Sequence, residues 1–183
     1  CVFIGAFAGL KELLAQIRAR KAQTAAITWS ATTPRADYVV SLRTPPHRVL
    51  GWGPLELQIK LVLNALTTGA HVLSGKVFGN RMVDLRISNN KLFHRTVGII
   101  GDLMKVSQEE ATEALLRAVY QTDSVTETQR GAPIRNHIDT ARSVSKVVPK
   151  ALLMATGQFN YAEATDTLAR NPIVRAAIQQ YVK

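Results

Sequence analysis

Between Arg43 and Pro54 the chain reads RTPPHRVLGWGP. Pro45, Pro46 and Pro54 fix φ and remove backbone donors, and Gly51 and Gly53 favour turns, so regular helix is not expected across this stretch. The break is a linker or surface loop, and the patterns on its two sides differ. Before it, apolar runs alternate with one amphipathic segment. Val2 to Phe7 suits a strand buried on both faces. Leu10, Leu13, Leu14 and Ile17 recur at helical spacing, which predicts a helix to about Ala22. Ala25 to Trp29 and Tyr38 to Leu42 read as second and third strands. Strand, helix and strand with short links mark a parallel α/β unit. Three strands are too few for a covered sheet, so this part is expected to be an incomplete domain.

After the break the pattern is helical throughout. Leu55 to about Val77 is apolar on most sides, which predicts an interior helix. Ser88 and Asn89 are candidate N-caps for a helix to about Met104. Ser107-Gln108-Glu109-Glu110 is a capping box, opening a helix with Ala111, Leu115, Leu116 and Val119 on its inner face. Thr122 to Arg130 is polar and expected to be a loop. Further helices are expected after Pro133, from Ser145 to Thr156 and from Tyr161 to Ala169, the last capped by Asn160 with Glu163. Asn171 before Pro172 reads as the cap and first position of one more helix.

The bulk numbers narrow the function classes. Apolar residues make up 46% of the chain, enough for a packed core. No apolar run is long and uncharged enough to span a membrane. Cys1 is the only cysteine, so an intrachain disulfide and a thiolate metal cluster are both excluded. A reducing interior, cytoplasm or nucleus, is the expected compartment. The chain opens Cys1-Val2-Phe3-Ile4-Gly5-Ala6-Phe7, without an initiator methionine, basic leader or polar lead-in, so a fragment, a processed piece or a chain with upstream sequence missing is expected. The net charge of +10 calls for an anionic partner. Its basic residues are scattered and carry no interleaved aromatics, so nucleic acid is not the expected one. His47, His71, His94 and His137 lack metal-ligand spacing, and no nucleophile elbow or phosphate-binding glycine loop occurs. No cofactor, metal or catalytic residue is assigned. His71 is expected in the core and His94 at the surface.

The chemistry concentrates in Gly75 to Arg95, GKVFGNRMVDLRISNNKLFHR. Lys91 and Arg95 are four apart on a helix and share a face near its start. That end already favours anions, and cations there are costly unless an anion offsets them. A phosphate would do so, with Ser88 or Asn89 placed to add a hydrogen bond. A solvated basic face, or ion pairs to Asp84 or Asp102, is the alternative.

Lys60 to Arg95, KLVLNALTTGAHVLSGKVFGNRMVDLRISNNKLFHR, resembles glucokinase regulatory proteins and, more distantly, N-acetylmuramic acid 6-phosphate etherases. EALLRAVY (Glu113–Tyr120), GAPIRNHI (Gly131–Ile138) and VPKALL (Val148–Leu153) extend the resemblance into the helical lid of the regulatory proteins. The resemblance implies a flavodoxin-like sugar isomerase (SIS) domain whose last part is residues 1–87, followed by an all-α lid over 88–183. The whole is then predominantly helical, and the remainder of its own SIS domains would be a partner. The implied ligand is fructose 6-phosphate or fructose 1-phosphate, with its phosphate on Lys91 and Arg95. The implied protein partner is a glucokinase or hexokinase-type enzyme, which the family inhibits, so no enzymatic activity is expected. The alternative is a sugar-phosphate etherase or isomerase with its catalytic glutamates upstream.

Overall fold

The computed structural model describes residues 2–4, 15–17, 19–29, 36–42, 51 and 53–182. The chain divides into two compact units, residues 1–68 and residues 69–183. In the first unit, β1 (Val2–Ile4), β2 (Ala25–Thr28) and β3 (Tyr38–Ser41) form a parallel sheet in the order β1-β2-β3. Val2 pairs with Ala25, and Ala25 pairs with Tyr38. β2 is central, and its Ala26, Ile27 and Thr28 are buried; β3 is exposed along its length. A side-chain clamp sets the start of the β2–β3 pair. The Asp37 carboxylate accepts from both the backbone N–H and the hydroxyl of Thr24 at 2.7 Å. Thr24 in turn accepts from the Asp37 N–H at 3.2 Å. All three strands fall within the expected segments, and residues 5–7 of the first segment lie outside the described residues. Residues 15–17 and 19 are helical, inside the span expected for the crossover helix. The rest of that helix, except residues 20–22, and most of the expected loop (residues 43–50 and 52) lie outside the described residues.

The helix α1 (Gly53–Leu73) begins two residues before the expected start, with Pro54 in its first turn. Proline is tolerated there because the first N–H groups have no intrahelical partner. Its burial corrects the sequence reading. Of its 21 residues only Leu55 is buried, while Leu57, Leu61, Leu66 and Leu73 are exposed. Apolar composition creates the demand for burial, but neighbouring elements decide whether it is met. His71, on the same helix, is half-buried rather than a core residue.

The second unit contains a structure that the helical reading missed. After α1 the chain makes a small antiparallel hairpin, β4 (Val77–Phe78) and β5 (Arg81–Met82), around Gly79-Asn80. Gly79 sits at φ +56°, a left-handed value that glycine adopts without strain. Two-residue strands are too short to show an alternating pattern in sequence.

Six helices lie beyond Asn89 with the order expected, and one more was missed: α2 (Asn90–Met104), α3 (Gln108–Tyr120), α4 (Glu127–Arg130), α5 (Ile134–Ala141), α6 (Val147–Met154), α7 (Tyr161–Arg170) and α8 (Val174–Gln179). α4 occupies the expected loop. It is a single turn closed by a capping box between Thr126 and Gln129. α8 starts two residues later than expected, with Ile173 at its N-cap, and Asn171 instead ends α7. All eight residues of α6 are buried, as expected of a short helix that is apolar nearly all round. The core around it includes Ile100, Leu115, Leu116, Val119, Leu152, Leu153, Leu168 and Ile178, each 2% exposed or less. The four positions expected on the inner face of α3, Ala111, Leu115, Leu116 and Val119, are all in this core.

Candidate functional site

The start of α2 is built as the sequence indicates. Asn89 is extended at φ −158°, and its side-chain oxygen accepts from the Leu92 N–H at 2.9 Å. Asn89 is therefore the cap, and Ser88 stands exposed beside it. α2 has no acidic residue in its first turn, whereas α3, α4 and α7 each carry glutamate there. Lys91 occupies that turn instead, adding a positive side chain to the positive end of the helix dipole. Both Lys91 and Arg95 are exposed.

The two acids that could have neutralised this pair are engaged elsewhere. Asp84 lies 3.8 Å from Lys76, and Asp102 pairs with Arg81 at 2.7 Å. Among the described residues, neither Lys91 nor Arg95 forms an ion pair.

Ser88, Asn89 and Lys91 line one cleft of about 510 Å³, opposite Arg135, Asp139 and Arg142. Arg95, one turn further along α2, lines a separate depression of about 340 Å³ with Asn80, Arg81 and Asp102. Three of the four expected site residues thus share a cleft, and the fourth borders its own. Arg135, Asp139 and Arg142 were not singled out by the sequence. Their spacing is a legible helical stripe, but nothing local says that α5 packs against the beginning of α2.

A second cleft, of about 630 Å³, lies on another side of α2, between α2, α3 and α5. Its apolar wall includes Phe93, Val97, Leu116 and Ile134, and Asp102, Gln108, Thr112 and Arg130 lie at its border. His137 closes it from below at 3% exposure. Its Nδ1 is 2.9 Å from the Tyr120 hydroxyl, and its ring stacks on Phe93 with centroids 5.7 Å apart. Burial holds the imidazole below its ordinary pKa, opposed in part by a hydrogen bond to the Ala132 backbone. His94 is exposed, as expected, edge-on to Phe93.

Two further groups are structural. Lys150 is 6% exposed and donates to the Tyr161 hydroxyl at 2.8 Å, which donates onward to Gln121 at 3.0 Å. Glu110 completes the capping box of α3 by accepting from the Ser107 N–H at 2.8 Å. The backbone and hydroxyl of Ser107 hold its carboxyl below the usual range. Among the described residues, no three His, Cys, Asp or Glu side chains form a metal-ligating group. No described helix is long and apolar enough to cross a membrane.

Comparison with known proteins bears on this geometry. The family model for the C-terminal lid domain of glucokinase regulatory protein matches residues 79–178. The chain is 40% identical to the human glucokinase regulatory protein over 124 residues, 68% of this chain and 20% of that protein. It is 34% identical to the Xenopus laevis glucokinase regulatory protein over 124 residues, with the same coverage. It is also 40% identical to an N-acetylmuramic acid 6-phosphate etherase of Synechocystis sp. over 104 residues, 54% of this chain and 34% of the etherase. The chain thus spans 20% of the length of the regulatory proteins it matches.

Proposed function

The chain belongs to the family of the C-terminal lid domain of glucokinase regulatory protein, and from that premise we propose that it closes a regulatory protein that binds a sugar phosphate. The ligand is fructose 6-phosphate or fructose 1-phosphate, and Lys91 and Arg95 meet its phosphate, with Ser88 and Asn89 adding polar contacts. The observation that carries this reading is Lys91 in the first turn of a capped helix, with Arg95 one turn on, neither of them paired with a carboxylate among the described residues. A phosphate would offset both cations and engage the free N–H groups at the helix start. Asn89 has already committed its side-chain oxygen to the cap. Its amide nitrogen is then the group left to donate to a ligand.

On this reading the parallel strands belong to an SIS domain, with the functional boundary after residue 87. The complete protein acts in the cytoplasm or nucleus, is not an enzyme, and inhibits a glucokinase or hexokinase-type kinase. A ligand regulates such a grip only through different affinities for the gripping and released conformations. The likeness to etherases favours a second reading, a sugar-phosphate etherase whose catalytic groups lie on other sequence. Release of lactate from N-acetylmuramic acid 6-phosphate by the full-length protein would select that reading.

The deciding experiment is calorimetric titration of the full-length protein with both fructose phosphates, beside a Lys91→Ala, Arg95→Ala double variant. The parent is expected to bind, and the variant to lose about 1.5–3 kcal/mol for each charged hydrogen bond removed. Equal binding by the two proteins would end the proposed role of the pair.

A further inference from the structure

The cleft at the start of α2 holds more positive charge than its own helix supplies. Lys91, Arg135 and Arg142 line it, and Asp139 is its one carboxylate. Arg135, Asp139 and Arg142 follow helical spacing along α5 and its C-cap, so they project from one stripe. Asp139 lies 3.0 Å from Arg142 Nη1 and 4.0 Å from Arg135 Nε. One carboxylate therefore faces two guanidinium groups and satisfies neither fully, since each carries five donors. Among the described residues, neither guanidinium has a further ion-pair or hydrogen-bond partner. The end of α5 is also pinned: Arg86 Nη2 donates to the Arg142 carbonyl at 3.1 Å.

We infer that Arg135 and Arg142 are further phosphate-reading residues, brought to Lys91 by α5 and aligned by Asp139. The inference rests on the reading that a sugar phosphate sits against Lys91. Arg95 borders a separate depression beside Asp102, so the cleft itself holds three cations against one carboxylate, an excess of two positive charges. A phosphate monoester carries about −1.5 to −2 at neutral pH, so one such group matches the excess. Guanidinium forks fit pairs of phosphate oxygens in a way that a lysine does not. A diester or a carboxylate, with one negative charge, would leave the cleft half-neutralised. The cleft thus favours a terminal phosphate, presented to α2 and α5 together.

The test is calorimetry of the full-length protein with fructose 6-phosphate, comparing the parent with Lys91→Ala, Arg135→Gln, Arg142→Gln and Arg142→Lys. Far-UV circular dichroism and thermal unfolding of each variant report on folding. Arg135→Gln and Arg142→Gln are each expected to weaken binding about tenfold, and Arg142→Lys to recover part of the loss. Inorganic phosphate should compete with the sugar phosphate for the parent and less well for the glutamine variants. Arg135 has an 89% exposed side chain, so its substitution tests the idea without loss of packing. Parent-like affinity in both glutamine variants, with binding lost in Lys91→Ala, would overturn this inference and leave the phosphate reading standing. Failure of the parent to bind either fructose 6-phosphate or fructose 1-phosphate would overturn both.

Discussion

His137 is a titratable ring placed where water scarcely reaches, and its environment sets a pH response. Desolvation keeps its folded-state pKa below the ordinary value, while the unfolded chain titrates near about 6.5. As pH falls through that value the unfolded state takes up the proton first. Between the two pKa values the unfolded state binds more protons, so stability falls with pH in that window. Above it this contribution is constant. Urea unfolding midpoints should therefore drop below about pH 6.5, and the part due to this ring should vanish in His137→Gln. At neutral pH that variant should itself lose about 1–3 kcal/mol, because the Tyr120 hydroxyl is left with a poorer partner. The sequence identified Lys91 and Arg95 because cations at a helix start run against the dipole. It did not identify His137, Arg135 or Arg142, whose significance depends on groups that arrive from other elements.

Helix ends were the most legible elements, because a cap is a short-range hydrogen-bond problem. The boxes at Ser107–Glu110 and Asn160–Glu163 both form as their residue types dictate. Ser107→Ala removes the acceptor for the Glu110 N–H, 3.2 Å away in the native protein. Thermal or urea unfolding should show a loss of about 1 kcal/mol, the usual value for such a cap. Thr126 and Gln129 form the same motif inside the expected loop, where no apolar stripe follows to mark a helix. At Asn171 the cap residue and the proline were present, yet the chain delays α8 to Val174. Arg175 N–H donates to the Gly75 carbonyl at 2.8 Å there, a tie that no local pattern announces.

That tie joins the hairpin region to the last helix, and it exposes a whole-molecule constraint at Gly75. The residue sits at φ +69°, and a Cβ added to it would overlap the Ile173 side chain. Gly75→Ala therefore combines backbone strain with a steric clash. The backbone part alone is expected to cost about 1–2 kcal/mol. Thermal unfolding of Gly75→Ala should show a larger loss than that. Adding Ile173→Ala should recover the steric part and leave the backbone part, since Ile173 is half exposed and contributes little to the core. α1 illustrates the same dependence on surroundings. Its apolar pattern resembles that of α6, yet α6 is buried at every position and α1 at one.

By itself the sequence determined the parallel strands, the order of the long helices, their caps and the family, because each rests on neighbours a few residues apart or on an uninterrupted motif. Tertiary structure decided which apolar faces were covered, where the two-residue strands paired, and which charges met in a cleft. Those outcomes depend on contacts between segments far apart along the chain, and residue type alone states only the need for a partner. The cations of α2 are visible in sequence, but their meeting with Arg135 and Arg142 follows from the packing of α5 against α2.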